Sequence, residues 1–172
     1  MKTFTKVVFL TTSLALAACA KSPFDRSGDA AGAGANGLDN GGVSTSALSP
    51  NSPAYFNQTI GDKVLFNVDQ STINDTARAT LTQQANWLNT NTTYNAIIEG
   101  HADEQGTREY NLALGARRAA AARDFLVANG VADNRLRTVT FGKERPLEVC
   151  STEACYAKNR RAVTVISAGV GS

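Results

Sequence analysis

Short segments with an apolar pattern recur beyond residue 53 and predict β-strands. In the first of them, Val64, Phe66 and Val68 fall at every second position, which places them on one face of a strand. We predict four strands, over residues 63–68, 94–99, 136–141 and 161–166. This part of the chain therefore contains the strands of one sheet.

Between the strands, apolar residues recur at helical spacing. The first predicted helix has Asn74 as its N-cap and ends near residue 89, with an apolar face made of Ala77, Leu81, Ala85 and Leu88. The second begins after Thr107 and ends at Asn129-Gly130, a strong helix stop. Its alanine-rich middle would let it lie close against a sheet. A short helical turn is predicted over residues 154–159.

The order of these elements is β-α-β-α-β-β. Alternation of strands and helices predicts an α/β fold, a two-layer sandwich with one mixed sheet and helices packed on one side. At 172 residues the chain has room for one well-buried domain and little else. We place that domain at residues 54–172.

The N-terminal segment determines the compartment. Two lysines and a run of about a dozen mostly apolar residues precede Leu16-Ala17-Ala18-Cys19, and such a run is too short to cross a bilayer. Residues 1–18 are therefore predicted to be a signal peptide. The small residues before Cys19 resemble the bacterial lipobox, which implies that Cys19 is lipidated; the alternative is an ordinary secretory signal with an incidental cysteine. Ala20 favours the outer membrane, because bacterial lipoproteins held at the inner membrane commonly carry Asp directly after the lipidated cysteine.

Residues 19–53 are rich in Ala, Gly, Ser and Asn and contain few large apolar side chains. Such a composition cannot bury enough surface to offset chain entropy, so we predict a disordered tether. It would reach about 120 Å when fully extended and about 30 to 35 Å as a flexible coil.

The charge balance argues against nucleic-acid binding. Lys and Arg number 17 against 15 Asp and Glu, and removal of Lys2 and Lys6 with the signal peptide leaves the mature chain near neutral. Nucleic-acid binding normally needs a basic surface. Any binding of a polyanion would have to be local.

One stretch combines charged and apolar residues in a pattern that could bind a ligand. Asn111, Leu114 and Arg118 share one stripe of the second helix, and Asp103 precedes that helix. Asp and Arg about 10 Å apart could hold a ligand that carries both an ammonium and a carboxylate. The alternative is that Asp103 caps the helix and Arg118 is a solvated surface residue.

Three motifs in this order resemble a known family. They are Glu99-Gly-His-Ala-Asp-Glu-Gln-Gly-Thr107, Glu109-Tyr-Asn-Leu-Ala-Leu-Gly-Ala-Arg-Arg-Ala119 and Lys158-Asn-Arg-Arg-Ala-Val163. The chain resembles the peptidoglycan-binding domain of OmpA-like proteins and, with its lipobox and tether, the OmpA-like lipoproteins of the Tol-Pal system. The resemblance implies a non-enzymatic protein that binds diaminopimelate-containing peptidoglycan and tethers the outer membrane to the cell wall. It also implies TolB and other Tol proteins as partners, and a role in envelope integrity and outer-membrane constriction during division.

The resemblance also assigns site residues. Asp103 and Arg118 match the Asp and Arg that hold the diaminopimelate side chain, Asp69 matches a further ligand-contacting Asp, and Leu114 matches an apolar wall. Asn111 matches an Asn that orders the loop more than it touches the ligand.

Two positions depart from the family pattern. Asn67-Val68 stands where Asp-Phe is common, and Gly115 replaces a common Ser. We expect these departures to change the affinity and to leave the site in place.

The sequence offers little for an enzyme. His101 is the only histidine, and we expect a hydrogen-bonded loop histidine rather than a metal ligand or general base, since zinc sites usually recruit more His or Cys. We predict no catalytic residue, metal or cofactor.

Cys150 and Cys155 form an even pair once Cys19 is lipidated. In an oxidising periplasm such a pair favours a structural disulfide over a redox or zinc role. Arg160 and Arg161, just before the last strand, could face the wall polymer, lie in solvent, or tie the sheet to neighbouring carboxylates.

Overall fold

The computed structural model describes residues 48–168 of the chain. The predicted signal peptide, Cys19 and most of the predicted tether lie outside the described residues. Within them, the chain forms the predicted α/β fold.

Four strands form one mixed sheet in the order β1-β4-β2-β3. The strands are β1 (Lys63–Leu65), β2 (Tyr94–His101), β3 (Leu136–Gly142) and β4 (Arg161–Ala168). β2 runs parallel to β3, and β4 is antiparallel to both β1 and β2. The predicted sheet is therefore confirmed, with the last strand inserted between the first and the second.

Two long helices cover one face of this sheet. The two long helices are α2 (Asp75–Thr90) and α3 (Arg108–Ala128). The shorter helices are α1 (Pro53–Tyr55), which continues into a π-helical segment (Phe56–Gly61), and α4 (Glu153–Asn159); a 3-10 turn lies at Asp133–Arg135. α2 contacts β1, and α3 contacts β2 and β3. No helix within residues 48–168 is long and apolar enough to cross a membrane.

The two long helices begin as their capping residues predict. The side chain of Asn74 accepts a hydrogen bond from the Ala77 amide at 2.8 Å. The hydroxyl of Thr107 accepts one from the Tyr110 amide at 3.2 Å. Each cap satisfies a main-chain N–H that has no partner within its helix.

The core lies between the sheet and these helices. Its fully buried side chains include Phe56, Leu81, Leu88, Ile98 and Leu126. Helix α3 approaches the sheet closely, as its alanine-rich middle predicts, because small residues meet there. A Cβ atom added to Gly115 would lie 2.5 Å from Thr140 Oγ1 and 2.9 Å from the Gly100 carbonyl oxygen.

Strand β1 is shorter than predicted, since it ends at Leu65 rather than at residue 68. The chain turns there, with the Gln70 amide donating to the Asn67 carbonyl at 3.2 Å. Asp69 lies in the left-handed region of the backbone at φ +56°, which Asp tolerates better than most residues. The residues that follow β1 therefore form a loop rather than a strand.

The segment before β1 is attached to the C-terminal end of α2. Trp87 Nε1 donates to the main-chain carbonyl of Pro50 at 2.7 Å. Its ring centroid lies 5.0 Å from that of Phe56 and 5.3 Å from that of Tyr94. The sequence pattern did not predict this helical segment before β1.

Candidate functional site

A pocket of about 250 Å3 lies between the β1–α2 loop, the β2–α3 loop and the first turns of α3. We call it the loop pocket. It is lined by Val68, Asp69, Asp103, Gln105, Gly106, Tyr110, Asn111 and Leu114. Three of the four residues that the sequence assigns to ligand binding therefore line one cavity.

Asp69 supplies one carboxylate of the pocket. The left-handed turn after β1 places it opposite α3, where Tyr110 donates its phenolic O–H to Asp69 Oδ1. This hydrogen bond stabilises the protonated phenol beside a negative charge and raises the pKa of Tyr110 above its usual 10. Tyr110 was not among the predicted site residues, although it lies within the second motif.

Asp103 supplies the second carboxylate and is 7% exposed. Its Oδ1 accepts from the Gln105 amide at 3.2 Å, and its Oδ2 accepts from Arg160 Nη1 at 3.1 Å. The alternative that Asp103 caps α3 is wrong, because Thr107 occupies that position. The carboxylate is held by the loop and by Arg160, the residue directly before β4.

The β2–α3 loop, residues 102–107, is fixed from two sides. Asn111 Nδ2 donates to the Gln105 carbonyl at 2.7 Å, so Asn111 orders the loop as predicted. Lys143 Nζ donates to the Gly106 carbonyl at 2.7 Å from the segment after β3. Together with Arg160, these contacts fix the position of Asp103 from α3, from the segment after β3 and from the residue before β4.

Arg118 lies beneath the loop pocket and does not line it. Its side chain is completely buried. Nε donates to the Gln70 carbonyl at 2.8 Å, Nη1 to that of His101 at 2.9 Å and Nη2 to that of Asn67 at 3.1 Å. The alternative that Arg118 is a solvated surface residue is therefore wrong.

The buried guanidinium keeps its charge at neutral pH. Burial lowers the pKa of Arg118 to about 10, and the Coulombic attraction of Asp103 and Asp69 opposes this effect. The guanidinium also lies 5.3 Å from the ring centroid of Phe66. The positive charge of Arg118 therefore lies near Asp103 and Asp69, and the helix stripe that carries it faces the loops instead of solvent.

Arg160 and Arg161 tie the start of β4 to its surroundings. Arg160 pairs with Asp103 and also donates through Nη2 to Glu153. Arg161 donates to the carbonyls of Asn159 and Arg145. Of the open alternatives, the one in which this pair ties the sheet to carboxylates fits Arg160.

His101 ends β2, and the residue is 2% exposed. Among the described residues, neither ring nitrogen has a hydrogen-bond partner, and Glu99 Oε2 is 3.7 Å from Nε2. The prediction of a loop histidine is wrong, because His101 belongs to strand β2, where its ring packs on Phe141 at 5.5 Å between centroids. Burial, and then the charge of Arg161, lower the pKa of His101 to about 4.

The two departures from the family pattern fall in different places. Val68 is 54% exposed and lines the loop pocket, where an aromatic side chain would have added a wall. Gly115 faces β2 and β3 at the contact between helix and sheet. The glycine at position 115 therefore affects how closely α3 packs on the sheet, whereas Val68 can contact the ligand directly.

Cys150 and Cys155 lie beside the β2–α3 loop. Their Cα atoms are 6.0 Å apart, and their sulfur atoms are in bonding contact. Cys155 lies on α4, and Cys150 precedes that helix. Within residues 48–168, no group of three or more His, Cys, Asp or Glu side chains is placed to hold a metal ion.

The loop pocket is suited to bind a small cationic group. Asp69 and Asp103 present carboxylate oxygens, Leu114 and Val68 provide apolar walls, and Tyr110 adds a hydroxyl. An ammonium group near both carboxylates would form charge-assisted hydrogen bonds. A carboxylate on the same ligand would be attracted by Arg118 below.

Comparison with known proteins identifies the family of this chain. The OmpA family model matches residues 65–160. The peptidoglycan-associated lipoprotein of Mesorhizobium japonicum is 51% identical over 168 residues, covering 96% of this chain and 93% of that protein. The protein of the same name from Pasteurella multocida is 38% identical and covers 95% and 98%.

Solved structures show the same fold. The crystal structure of the peptidoglycan-associated lipoprotein from Burkholderia pseudomallei superposes with a TM-score of 0.64 at 37% identity, covering 67% of this chain and 100% of that one. The C-terminal domain of Helicobacter pylori MotB shares the fold at 21% identity and a TM-score of 0.59, covering 63% and 86%. The chain therefore belongs to the OmpA family, and within it to the peptidoglycan-associated lipoproteins.

Proposed function

We propose that this protein is an outer-membrane lipoprotein whose domain binds peptidoglycan without cleaving it and so tethers the outer membrane to the cell wall. The proposed ligand is the meso-diaminopimelate residue of the stem peptide. The names of the relatives above, peptidoglycan-associated lipoproteins, support peptidoglycan as the polymer that is bound. The chemistry of the loop pocket supports meso-diaminopimelate as the residue that is recognised within it.

One observation carries the choice of ligand, namely that two carboxylates line a small pocket above a buried guanidinium. The side chain of meso-diaminopimelate ends in an ammonium and a carboxylate on one carbon. In this proposal Asp69 and Asp103, which line the loop pocket, accept hydrogen bonds from the ammonium, and the buried Arg118 binds the carboxylate. Charged groups of both signs would favour this zwitterion over a neutral or purely cationic side chain.

Contact with Arg118 requires a change in the β1–α2 loop. The carbonyls of Asn67 and Gln70 occupy two sides of the guanidinium and help to bury it completely. A ligand carboxylate can replace one of these carbonyls, and a carboxylate is the stronger acceptor for a guanidinium. We therefore expect the ligand to reach Arg118 by displacing part of this loop.

The direction of the chain supports a tether. The loop pocket lies near the N-terminal end of α2, whereas Pro50 is bound to Trp87 near its C-terminal end. Trp87 lies thirteen positions after Asn74, which corresponds to about 20 Å along the helix axis. The polypeptide thus enters the domain far from the pocket, and an anchor there would leave the pocket free to face the wall.

Co-sedimentation with purified sacculi tests the proposed ligand. Asp69→Asn should weaken binding about tenfold or more, since a hydrogen bond to a charged group contributes about 1.5 to 3 kcal/mol. Asp103→Asn should weaken it as well, and its unfolding midpoint must be measured because Arg160 loses a partner. The matched control is Asp124→Asn, an exposed carboxylate on α3 outside the loop pocket.

A competitor separates ligand recognition from general attraction to the wall. Stem peptide containing meso-diaminopimelate should displace the protein from sacculi, whereas the same peptide with lysine, which lacks the terminal carboxylate, should do so poorly. Equal competition by both peptides would refute the assignment of Arg118.

The non-enzymatic part of the proposal has its own test. After prolonged incubation with the protein, sacculi should release no soluble muropeptides. Release that depends on His101 would instead indicate a cell-wall hydrolase.

The membrane anchor is tested at Cys19, which lies outside the described residues. Cys19→Ser should prevent incorporation of labelled palmitate and release the protein from outer-membrane fractions. Labelling that persists in this variant would show that another residue is acylated.

Resemblance to the Tol-Pal lipoproteins extends the proposal to partners and physiology. We propose that TolB and other Tol proteins bind this domain, and that the protein supports envelope integrity and outer-membrane constriction in division. Cross-linking in cells should capture TolB. Deletion of the gene should cause outer-membrane blebbing at the division site, reversed by the wild type but not by Cys19→Ser.

A further inference from the structure

A six-residue segment from Cys150 to Cys155 lies directly against the β2–α3 loop. We call it the cysteine ring, because its terminal sulfur atoms are in bonding contact. Its residues and the one that follows it make two separate polar contacts with the loop that carries Asp103. Neither contact involves a residue that lines the loop pocket other than Asp103.

The first contact runs through Arg160. Glu153, inside the cysteine ring, accepts from Arg160 Nη2, while Arg160 Nη1 donates to Asp103 Oδ2 at 3.1 Å. The Arg160 side chain is 6% exposed and that of Asp103 is 9% exposed. The guanidinium therefore joins one carboxylate of the ring to one carboxylate of the pocket.

The second contact is made by Glu104, the neighbour of Asp103. Its Oε1 accepts from Ser151 Oγ at 3.1 Å and from Tyr156 Oη at 2.8 Å. Ser151 lies within the cysteine ring, and Tyr156 follows it. Two consecutive loop residues are thus held by the same short segment.

The buried side chain of Asn159 fixes the end of α4 through hydrogen bonds to the main chain of Leu147 and Glu148, but the exposed start of the segment has few other restraints. Helix α4 has seven residues, and Thr152 at its N-cap makes no side-chain capping bond. A helix this short is not stable by itself in water, and residues 149–154 are exposed. Such a segment opens locally at low cost unless a cross-link restrains it.

We propose that the Cys150–Cys155 disulfide positions Asp103 for ligand binding, so that the affinity for peptidoglycan depends on the redox state of this cysteine pair. The inference rests on the proposed function and adds a regulatory element to its site. In the oxidised protein the closed ring keeps Glu153 on Arg160, and Ser151 and Tyr156 on Glu104. In the reduced protein α4 opens more often, and the β2–α3 loop loses both its contact through Arg160 and the hydrogen bonds to Glu104.

The redox step is an ordinary thiol–disulfide exchange. A dithiol reductant supplies two electrons and two protons, the S–S bond breaks to give two Cys thiols, and the reductant becomes a disulfide. Cys150 is exposed and so accessible to attack by a thiolate.

The first experiment uses the full chain purified from membranes in detergent, without any mutation. Thiol alkylation followed by mass spectrometry measures the redox state, and co-sedimentation with sacculi measures affinity before reduction, after reduction with dithiothreitol and after reoxidation. Reduction should weaken binding by about fivefold to tenfold, and reoxidation should restore it. Full alkylation without prior reduction, or equal affinity in both states, would overturn the proposal.

The second experiment tests the route to Asp103. Glu153→Gln should weaken binding in the oxidised protein to the level of the reduced one, and reduction of this variant should cause little further loss. Glu148→Gln is the matched control, since Glu148 pairs with Lys158 nearby at 3.1 Å and does not contact Arg160 or the loop. Fully additive effects of Glu153→Gln and reduction would contradict a shared route.

A competition readout separates positioning of Asp103 from general stability. Loss of the ring should weaken binding of the diaminopimelate and the lysine stem peptides by a similar factor, because both carry the ammonium assigned to Asp103, with β-sheet circular dichroism unchanged. A protein that fails to bind sacculi in either redox state would refute the proposed function. One that binds equally in both states would refute only the present inference.

Discussion

The Nε atom of Arg118 donates a hydrogen bond to the main-chain carbonyl of Gln70 at 2.8 Å, joining α3 to the loop after β1. The same guanidinium holds the carbonyls of Asn67 and His101 and is completely buried. Arg118, which the family resemblance assigns to ligand binding, therefore also stabilises the fold. Stability measured without ligand separates the two roles.

Arg118→Ala should lower the free energy of unfolding by about 3 to 5 kcal/mol. The substitution removes the donor from three carbonyl oxygens, of which that of His101 belongs to a buried residue, and opens a cavity beside Phe66. Urea unfolding at pH 7 measures the change. Loss of sacculus binding by this variant alone would then say little about contact with the ligand.

The control for this prediction is the preceding residue on the same helix. Arg117 is exposed, so Arg117→Ala should change the free energy of unfolding by no more than about 0.5 kcal/mol. If the two alanine variants unfold at the same urea concentration, the buried arginine does not hold the loop as described.

Gly115→Ala should destabilise the domain by about 1 to 3 kcal/mol through overpacking. The added methyl group would lie 2.5 Å from Thr140 Oγ1 and 2.9 Å from the Gly100 carbonyl oxygen, so α3 would have to move away from the sheet. Thermal unfolding of the variant measures the loss. Ala116→Gly, at the next and exposed position, should cost only the helix propensity difference of about 1 kcal/mol, and an equal or larger loss there would argue against close packing at Gly115.

The sequence predicted those parts of the fold that depend on local chemistry. Asn74 and Thr107 cap their helices, because the bonds they make reach only three residues ahead. The strands follow from apolar alternation, which reflects a side-chain period of two. Each of these patterns can be recognised without knowing what lies across the molecule.

The parts that sequence did not predict depend on distant partners. The early end of β1 accompanies bonds between Arg118 and two carbonyls about fifty positions earlier in the chain. The pairing of Asp103 with Arg160 spans 57 positions. Spacing on one helix placed Arg118 on the stripe of Asn111 but could not reveal that loops cover this stripe.

Asp69→Asn should lower the pKa of Tyr110 back towards its usual value near 10. The charged hydrogen-bond acceptor at Asp69 is the main cause of the raised pKa, and an amide stabilises the protonated phenol less. NMR of tyrosine labelled with 13C at the ring carbon that bears oxygen follows this titration. The other tyrosine with a raised pKa is Tyr156, which donates to Glu104 and serves as the internal control.

The same measurement reports on the ligand. A ligand ammonium that takes Asp69 as its acceptor would displace the Tyr110 hydroxyl, so saturating stem peptide should also lower the pKa of Tyr110. A pKa that stays unchanged on both substitution and ligand addition would contradict the contact between Tyr110 and Asp69.

His101 is a buried titratable group whose surroundings oppose protonation. Its ring is buried against Phe141, the guanidinium of Arg161 lies nearby, and Glu99 is too far away for a hydrogen bond at 3.7 Å. Burial disfavours the charged form, and the neighbouring positive charge adds to this effect. The pKa of about 4 in the folded protein therefore lies below the ordinary value of 6.5.

The unfolded chain takes up a proton at this histidine before the folded protein does, so the free energy of unfolding should fall as the pH drops from about 6.5 to about 4. The loss should reach about 3 kcal/mol, since each unit of pKa difference corresponds to about 1.4 kcal/mol. Because the chain has a single histidine, His101→Gln should flatten this part of the profile in urea unfolding between pH 4.5 and 7.5. The pKa of Glu153 is lowered mainly by its hydrogen bond to Arg160, so titration of this carboxyl changes the free energy of unfolding below pH 4.5 and outside the measured range. An unchanged slope in His101→Gln would show that another group titrates there.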